Sequence, residues 1–435
     1  MSTASPRSPG RGSRPCSTDC WPFGGGSRMS LERNAGNRSR EIVSFPRVRR
    51  VVVKLGSGTV TDPGAGLRMS TIRALAAQIV DALSADGVSF VVVTSGAIAA
   101  GREKLGMTER PRTVALKQAA AAVGQTSLMR AYERAFEKRG RHVGQLLLTH
   151  DDFENRERYV NARNTLLALL SRGIVPVVNE NDTVATEEIR LEGGGGGAND
   201  HLAALVTQMI GADLLILLTD SDGLFTKDPH RHPDARRIPV VENLDDESVR
   251  AAVGRRVSAA GTGGMASKLR AARVLSTSGI PVVIASGLSR RSILDVLAGK
   301  DRGTLILPRK GGKIRSRKMW IAYALHAHGT IVVDDGARKV LLEGGKSLLP
   351  AGVTGVRGRF RRGDAVSIAD RRGRVFARGI ARWGSEQVDR GKGKRSAEVR
   401  ALLGPETPAE VVHRDDLTIL PPPGGSESRK GTAPR

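Results

Sequence analysis

Cysteine is nearly absent from this chain of 435 residues, which contains only Cys16 and Cys20. So few cysteines exclude a disulfide framework, and their scarcity is typical of a reducing compartment. No further cysteine or histidine lies close enough in the sequence to complete a zinc site with them. We therefore interpret both as incidental free thiols and predict no metal-ligating residues.

Aromatic residues are also scarce, at 3% of the chain, so the predicted core must consist of Val, Leu, Ile and Ala. No apolar run approaches the roughly 18 residues that a membrane span requires. The N-terminus has arginines but lacks the apolar segment of a secretory signal. The sequence therefore predicts a soluble, cytoplasmic protein with no membrane partner.

Acidic residues are outnumbered by basic ones, and the net charge is +25. Such a charge by itself favours a polyanionic partner. The excess is concentrated before residue 50 and after residue 307, and the part between is close to neutral. A nearly neutral central part is typical of a metabolic enzyme domain.

Several common catalytic motifs are missing. The chain has no G-x-x-x-x-G-K-[ST] and no H-E-x-x-H, which argues against a P-loop enzyme and a zinc protease. Position 93 is Val, so Ser95 does not lie in the G-x-S-x-G turn of a hydrolase.

Composition divides the chain into five parts. Residues 1–46 are rich in Ser, Arg, Gly and Pro and are predicted to be disordered. Residues 47–307 alternate apolar strands with helical patterns, and residues 308–328 form a basic linker. Short β-type segments dominate 329–420, which predicts a small β domain, and 421–435 is predicted to be a flexible tail.

The alternating part predicts an α/β fold, in which a mostly parallel sheet is covered by helices on both faces. Ligands of such sheets bind beyond the carboxyl ends of the strands. Polar residues follow the predicted strands at this edge, namely Lys54, Ser95, residues 179–182, Thr219 and Asp220. The spacing also predicts a helix over 70–85 with Ser70 as its N-cap.

Two lysines stand out. The stretch Gly261-Thr262-Gly263-Gly264-Met265-Ala266-Ser267-Lys268 leads into a helix, where closely approaching N–H groups favour phosphate. A flexible surface loop is the alternative interpretation. Lys54 ends a buried strand, either as a lysine that extends to solvent or as the second half of a phosphate clamp.

Three polar positions have a structural and a functional interpretation each. Residues 178–182 form either an Asn- and Asp-rich turn or a site for a substrate ammonium group. Asp200 is either a helix cap or the group that holds both lysines. Ser95 is either an N-cap or part of an anion-binding helix start.

Taken together and in this order, these motifs resemble the glutamate kinases of the amino acid kinase family. The matching stretches are VVVKLGSGTVT, VVVTSGAIAAGREKLG, AAAVGQTSLM, HVGQLLLTHDDFENRERYVNARNTL, GIVPVVNENDTVATEEI, LLILLTDSDGLFTKDP and GTGGMASKLRAA. They span about 50 to 305, and the TSGAIAAG and VNEND stretches favour the glutamate enzymes over their relatives.

The resemblance implies an αβα sandwich around about eight strands. It implies that ATP, with Mg²⁺, donates its γ-phosphoryl group to the side-chain carboxylate of L-glutamate. Lys54 and Lys268 would hold the phosphates, Asp200 would orient both lysines, and the residues binding glutamate would be Ser95, Asp182 and Asn199. The residues implied to bind ATP are Lys54, Thr219, Asp220, Thr262, Gly263, Gly264, Met265, Ala266, Ser267 and Lys268.

The resemblance also implies a place in proline biosynthesis, feedback inhibition by proline, and a homo-oligomer, either dimer or tetramer. Two departures from the family pattern are present. The loop before Asn199 carries Gly193–Gly197 and Ala198 where the family has a shorter, more acidic loop, which predicts looser substrate or proline binding. After Lys54, the loop Gly56-Ser57-Gly58 replaces the usual Gly-Thr-Ser.

The C-terminal part resembles the PUA domain, a small β pseudo-barrel found in RNA-modifying enzymes. The matching pieces are DDGARKVLLEGGKSLLPAGVTGV, FRRGDAVSIAD, ARGIARW and HRDDLTIL. Its arginines allow RNA binding, but we favour a solvated basic face that supports assembly or regulation. Two functional alternatives remain, a kinase for another acid such as aspartate or N-acetylglutamate, and an RNA-binding protein with a vestigial kinase domain.

Overall fold

The computed structural model describes residues 30–32, 42–44, 48–62, 66–185, 197–229, 231–253, 264–309, 318, 321 and 325–420. Predictions made for Thr262, Gly263, the tail 421–435 and most of the linker 308–328 fall outside the described residues. In the N-terminal part, a short antiparallel pair joins β1 (Ser30–Glu32) to β2 (Ile42–Ser44).

The larger part of the chain alternates strands and helices. Its strands are β3 (Arg50–Leu55), β4 (Thr61–Asp62), β5 (Gly66–Leu67), β6 (Ser89–Val93), β7 (Val143–Leu148), β8 (Val175–Glu180), β9 (Leu214–Thr219), β10 (Val240–Val241), β11 (Val282–Ser286) and β12 (Thr304–Ile306). Its helices are α1 (Ser57–Val60), α2 (Met69–Asp86), α3 (Ala97–Lys104), α4 (Val114–Glu137), α5 (His150–Glu154), α6 (Arg156–Ser171), α7 (Ala198–Ile210), α8 (Glu247–Val253), α9 (Met265–Thr277) and α10 (Ser292–Leu297).

Eight of these strands form one sheet in the order β10-β12-β11-β9-β3-β6-β8-β7. All neighbouring strands in it are parallel except β11 and β12, which are antiparallel. The predicted α/β fold with a mostly parallel sheet of about eight strands is confirmed.

Alternation along the central strand β3 shows why the sheet needs helices on both faces. Val51 and Val53 pack into one buried apolar cluster, to which α2 and α4 contribute. Val52, between them, packs into a second cluster, to which α7 and α9 contribute. Because successive side chains of a strand point to opposite faces, both faces are apolar and both are covered.

One predicted helix boundary is wrong. Helix α2 begins at Met69, and its N-cap is Arg68, which makes no side-chain cap hydrogen bond. The amide of Ile72 donates to the carbonyl oxygen of Arg68 at 3.3 Å, so the helical hydrogen bonding has already begun when the chain reaches Ser70. Ser70 therefore lies inside the first turn and is not the cap.

The C-terminal part forms a separate five-stranded sheet in the order β14-β13-β15-β16-β17. Its elements are β13 (Gly329–Val333), β14 (Val353–Gly358), β15 (Ala365–Ala369), β16 (Val375–Ala381), β17 (Val412–Ile419), α11 (Asp335–Leu342), α12 (Ser385–Gly391) and α13 (Ser396–Leu403). Its own apolar core includes the buried Trp383. The predicted mostly-β domain is confirmed.

Sequence reasoning was less successful within this domain. It predicted only short β-type segments, whereas β17 runs over eight residues, Val412–Ile419. It predicted no helix in this domain, although α11, α12 and α13 are present. The strand signal of β14 is weak, because its sequence VTGVRG contains two glycines and an arginine. Within the described ranges, no helix combines the length and the apolar character needed to span a bilayer.

Candidate active site

The carboxyl end of the central strand supplies the first candidate residue. Lys54 lies in β3, paired with Val93 of β6 on one side and with Leu217 of β9 on the other. Its side chain is only 5% exposed, and its neighbours in the strand, Val53 and Leu55, are buried and apolar. Burying an ammonium group is costly without a partner, so an opposite charge is required nearby.

That opposite charge is Asp200. Its Oδ1 lies 2.7 Å from Nζ of Lys54. Its Oδ2 lies 3.4 Å from Nζ of Lys268 and accepts a hydrogen bond from the hydroxyl of Ser267 at 2.5 Å. Residues that are far apart in the sequence therefore meet at one buried carboxylate.

Two of the charged residues, Asp200 and Lys268, lie in the first turns of helices. Asp200 is the third residue of α7, whose N-cap is Gly197, so the interpretation of Asp200 as the cap is wrong. Lys268 is the fourth residue of α9, whose N-cap Gly264 makes no side-chain cap hydrogen bond. The first turn of α9 therefore carries Lys268, and a cation together with the N–H groups of a helix start is suited to binding anions.

The charges determine one another's ionisation. Burial raises the pKa of Asp200, but the charges of Lys54 and then Lys268 outweigh this effect and bring the pKa below its ordinary value. Burial lowers the pKa of Lys268; the Asp200 carboxylate opposes this shift and the Lys54 ammonium adds to it. When all three groups are ionised, two positive charges face one negative charge, so the cluster carries a positive excess suited to an anionic ligand.

A second group of candidate residues lies one strand further along the sheet edge. Ser95 follows β6, and Gly96, not Ser95, is the N-cap of α3, so the N-cap interpretation of Ser95 is wrong. Instead, Oγ of Ser95 accepts a hydrogen bond from Nδ2 of Asn199 at 3.1 Å. Asn199 directly precedes Asp200. This contact therefore joins the loop that contains Ser95 (the Ser95 loop) to the group formed by Lys54, Lys268 and Asp200 (the lysine cluster).

Asp182 lies in the turn after β8, the strand that neighbours β6. The amide of Val184 donates to the carbonyl oxygen of Asn181 at 3.1 Å, so this segment is a turn, as one of the two interpretations predicted. Because parallel strands end at the same edge of a sheet, the turn lies on the same edge as Ser95.

Sequence reasoning missed Gln125, which lies on α4. Nδ2 of Asn179, a residue that is 1% exposed, donates to its Oε1 at 2.9 Å. Three buried polar atoms here have no hydrogen-bond partner among the described residues: Oδ1 of Asn179, Nε2 of Gln125 and Oδ1 of Asn199. Buried polar atoms are normally paired, so a polar ligand or bound water would complete the hydrogen bonding of these three atoms.

On the other side of the lysine cluster, Thr219 ends β9 and donates from its hydroxyl to Oδ1 of Asp220 at 2.9 Å. Gly58 lies beside Asp220 on this side, where a Cβ would make an ordinary van der Waals contact of 3.7 Å with Oδ2 of that residue. Met265 and Ala266 form the first turn of α9. Thr262 and Gly263 lie outside the described residues.

A parallel sheet with two lysines gathered at its carboxyl edge is an arrangement suited to phosphoryl transfer. Comparison with protein families agrees, because the model of the amino acid kinase family matches residues 49–286. The model of the PUA domain matches residues 329–403.

Curated relatives narrow the class. A glutamate 5-kinase of Pelobacter propionicus is 46% identical over 86% of this chain and 99% of its own length. Those of Citrifermentans bemidjiense and Myxococcus xanthus are 47% and 46% identical, over 98% and 96% of their lengths. The chain belongs to the amino acid kinase family and, within it, to the group of the glutamate 5-kinases.

Proposed function

We propose that this protein is a glutamate 5-kinase, which transfers the γ-phosphoryl group of ATP to the side-chain carboxylate of L-glutamate. The products are ADP and the acyl phosphate γ-glutamyl phosphate. The observation that carries this proposal is the meeting of Lys54 and Lys268 at Asp200, at the carboxyl edge of the sheet.

The lysines act on the transferred group. Phosphoryl transfer depends mainly on positioning and on neutralising the charge of the equatorial oxygens. Lys54 and Lys268 supply that charge from fixed, buried positions. Asp200 keeps both ammonium groups on one side of the site, so that little reorganisation is needed when the phosphoryl group moves between donor and acceptor oxygens.

The nucleotide occupies the side formed by Thr219, Asp220 and the start of α9. The proposed contacts also include Thr262, Gly263 and Gly264, because the N–H groups at a helix start favour phosphate. Mg²⁺ enters as part of the substrate MgATP, because this ion keeps phosphate and water ligands. The hydroxyl of Thr219 and the carboxylate of Asp220 are oxygen donors of the kind this ion prefers.

Glutamate occupies the side formed by Ser95, Asp182 and Asn199. The Asp182 carboxylate is suited to the substrate ammonium group. Oδ1 of Asn199, buried and unpaired among the described residues, is a further acceptor for that group or for bound water. Ser95, whose oxygen already accepts from Asn199, keeps its own proton to donate to a substrate carboxylate.

We also propose that the reaction is cytoplasmic and supplies proline biosynthesis. Feedback inhibition by proline, assembly into a dimer or tetramer, and a supporting or regulatory role of the PUA domain belong to the same proposal. RNA binding by that domain is the second possibility for its basic face. It would appear as salt-dependent binding of RNA by the full chain.

An ATP-dependent hydroxamate assay tests the activity, since hydroxylamine converts an acyl phosphate to a hydroxamate. We expect turnover with L-glutamate and little with aspartate or N-acetylglutamate. Robust turnover of aspartate without turnover of glutamate would contradict the proposal. Repeating the assay with added proline tests the proposed inhibition.

A further inference from the structure

Tyr132 is a fully buried residue whose hydroxyl group forms a hydrogen bond with Thr94. The residue lies on α4 and is 0% exposed. Its oxygen lies 2.9 Å from Oγ1 of Thr94, which is also 0% exposed. A buried hydroxyl is costly unless it is hydrogen-bonded, so this contact is what makes a tyrosine acceptable at that place in the core.

Thr94 directly follows β6 and begins the loop that contains Ser95, a residue proposed to bind glutamate. Its amide donates to the carbonyl oxygen of Val178 in β8 at 2.9 Å, which fixes the backbone to the sheet. Its hydroxyl donates to the carbonyl oxygen of Ser95 at 3.1 Å. A threonine hydroxyl has one proton. With that proton given to the carbonyl oxygen of Ser95, the phenol of Tyr132 is the donor to Thr94.

A continuous chain of hydrogen bonds follows from these contacts. Tyr132 donates to Thr94, and Thr94 donates to the carbonyl oxygen of Ser95. The side-chain Oγ of the same Ser95 accepts from Nδ2 of Asn199. Burial raises the pKa of Tyr132 above its ordinary value, so the phenol keeps the proton that the chain requires.

We infer that Tyr132 is a positioning residue for glutamate: through Thr94, its hydroxyl fixes the loop that presents Ser95 to the substrate and to Asn199. Tyr132 itself touches neither substrate nor nucleotide. The inference rests on the proposed function, because it assigns an effect on the glutamate side of that site and none on the ATP side.

Steady-state kinetics of the full chain test this inference through Tyr132→Phe. Phenylalanine keeps the ring and its packing and removes only the hydroxyl group. Loss of one hydrogen bond of about 0.5–1.5 kcal/mol corresponds to roughly a twofold to tenfold effect. We expect KM for L-glutamate to rise by that factor while KM for ATP stays unchanged.

Substitutions at Thr94 test whether its hydroxyl connects Tyr132 to Ser95. Thr94→Ser keeps the hydroxyl and should behave like the unmodified protein, whereas Thr94→Val should raise KM for glutamate at least as much as Tyr132→Phe. The double variant should be no worse than Thr94→Val alone, because both changes break the same chain. Tyr159→Phe is the matched control. Tyr159 lies on α6 with its ring against Phe153, and it takes no part in the hydrogen bonds that link Tyr132, Thr94, Ser95 and Asn199.

The outcomes are separable. If the unmodified protein shows no glutamate-dependent turnover, the proposed function fails and the inference fails with it. If that turnover is present and Tyr132→Phe leaves KM for glutamate unchanged, only the inference is overturned. Equal rises in the KM values of glutamate and ATP would also overturn it, since a general loss of packing would then explain the effect.

Discussion

The hydroxyl of Ser267 lies 2.5 Å from Oδ2 of Asp200, the same oxygen that the Lys268 ammonium approaches at 3.4 Å. The hydroxyl is also 2.7 Å from the carbonyl oxygen of Gly264, so it is held at the start of α9. The resemblance implied ATP binding for Ser267. From this contact we propose a second role for Ser267, to orient Asp200, which is itself proposed to orient both lysines.

Ser267→Ala should therefore lower kcat by roughly tenfold to 100-fold, because one hydrogen bond to a charged group is worth about 1.5–3 kcal/mol. The charge of the cluster is unchanged, so some activity should remain. Ser267→Thr keeps the hydroxyl and should recover most of the rate. Hydroxamate formation at saturating ATP and glutamate measures both variants, and equal rates for Ala and Thr would contradict this role.

Lys268→Ala should remove most turnover while the fold survives. Removing one preorganised group that stabilises transition-state charge costs roughly 100- to 1,000-fold in kcat. Lys54→Ala should behave similarly. Lys227→Ala is the control, because that lysine forms an exposed ion pair with Asp234 and not with Asp200. Circular dichroism should show a folded protein for each variant; unchanged turnover in folded Lys268→Ala would refute the assigned role.

Gly197→Ala should damage the site through shape alone. Gly197 has φ of +132°, and a Cβ there would lie 2.2 Å from Cβ of Ser267. The start of α7, which carries Asp200, must then move away from α9. We expect a large loss of kcat. Gly87→Ala is the matched control, since Gly87 also has positive φ, +65°, but a Cβ there would have nothing within 4 Å. Equal activity losses in the two variants would contradict the steric explanation.

The sequence predicted the sheet better than the helix starts. Continuous apolar runs such as Val51–Val53 predict a buried strand whatever surrounds them. The residues at helix starts were ambiguous, because Ser70, Ser95 and Asp200 all fit the N-cap pattern and none is a cap. Local sequence cannot distinguish a side chain that caps its own helix from one that contacts a residue far along the chain.

The contacts that complete the site depend on such long-range pairs. Ser267 meets Asp200 across 67 positions, and Asn179 meets Gln125 across 54. The family resemblance assigned Lys54, Lys268 and Asp200 to one site, but no spacing rule relates Tyr132 to Thr94. That pair follows only from the packing of α4 against the sheet.

Asp200→Asn tests the electrostatic role of the carboxylate. Asparagine has nearly the same shape but leaves two buried ammonium groups without a counter-charge, which should cost about 3–5 kcal/mol in the free energy of unfolding at neutral pH. The pKa of Asp200 is lowered from its ordinary value of 3.8 on folding. Its stabilising contribution is therefore fully present above that value and is lost as the pH falls through the lower, folded value.

Urea unfolding of Asp200→Asn and of the unmodified protein, measured at several pH values, checks this dependence. The difference between their free energies of unfolding should be constant from about pH 5 to neutral and should shrink below pH 4, as the carboxylate of the unmodified protein becomes protonated. A difference that is the same at every pH would show that shape or hydrogen bonding, and not charge, explains the effect.

Gly124→Ala tests how closely α4 must approach α3, the helix that follows the Ser95 loop. A Cβ at Gly124 would lie 1.8 Å from the carbonyl oxygen of Ala97 and 2.4 Å from the amide nitrogen of Gly101, both backbone atoms that cannot rotate away. Alanine is the better helix former by about 1 kcal/mol, so propensity alone predicts stabilisation. We expect the reverse, a loss of several kcal/mol in the free energy of unfolding, together with a rise in KM for glutamate as α3 is displaced.

Ala122→Leu, which enlarges an exposed position of the same helix, should change neither quantity appreciably. A Gly124→Ala variant as stable as the unmodified protein would show that α3 and α4 can separate without cost, and the close contact would then not be what positions the Ser95 loop.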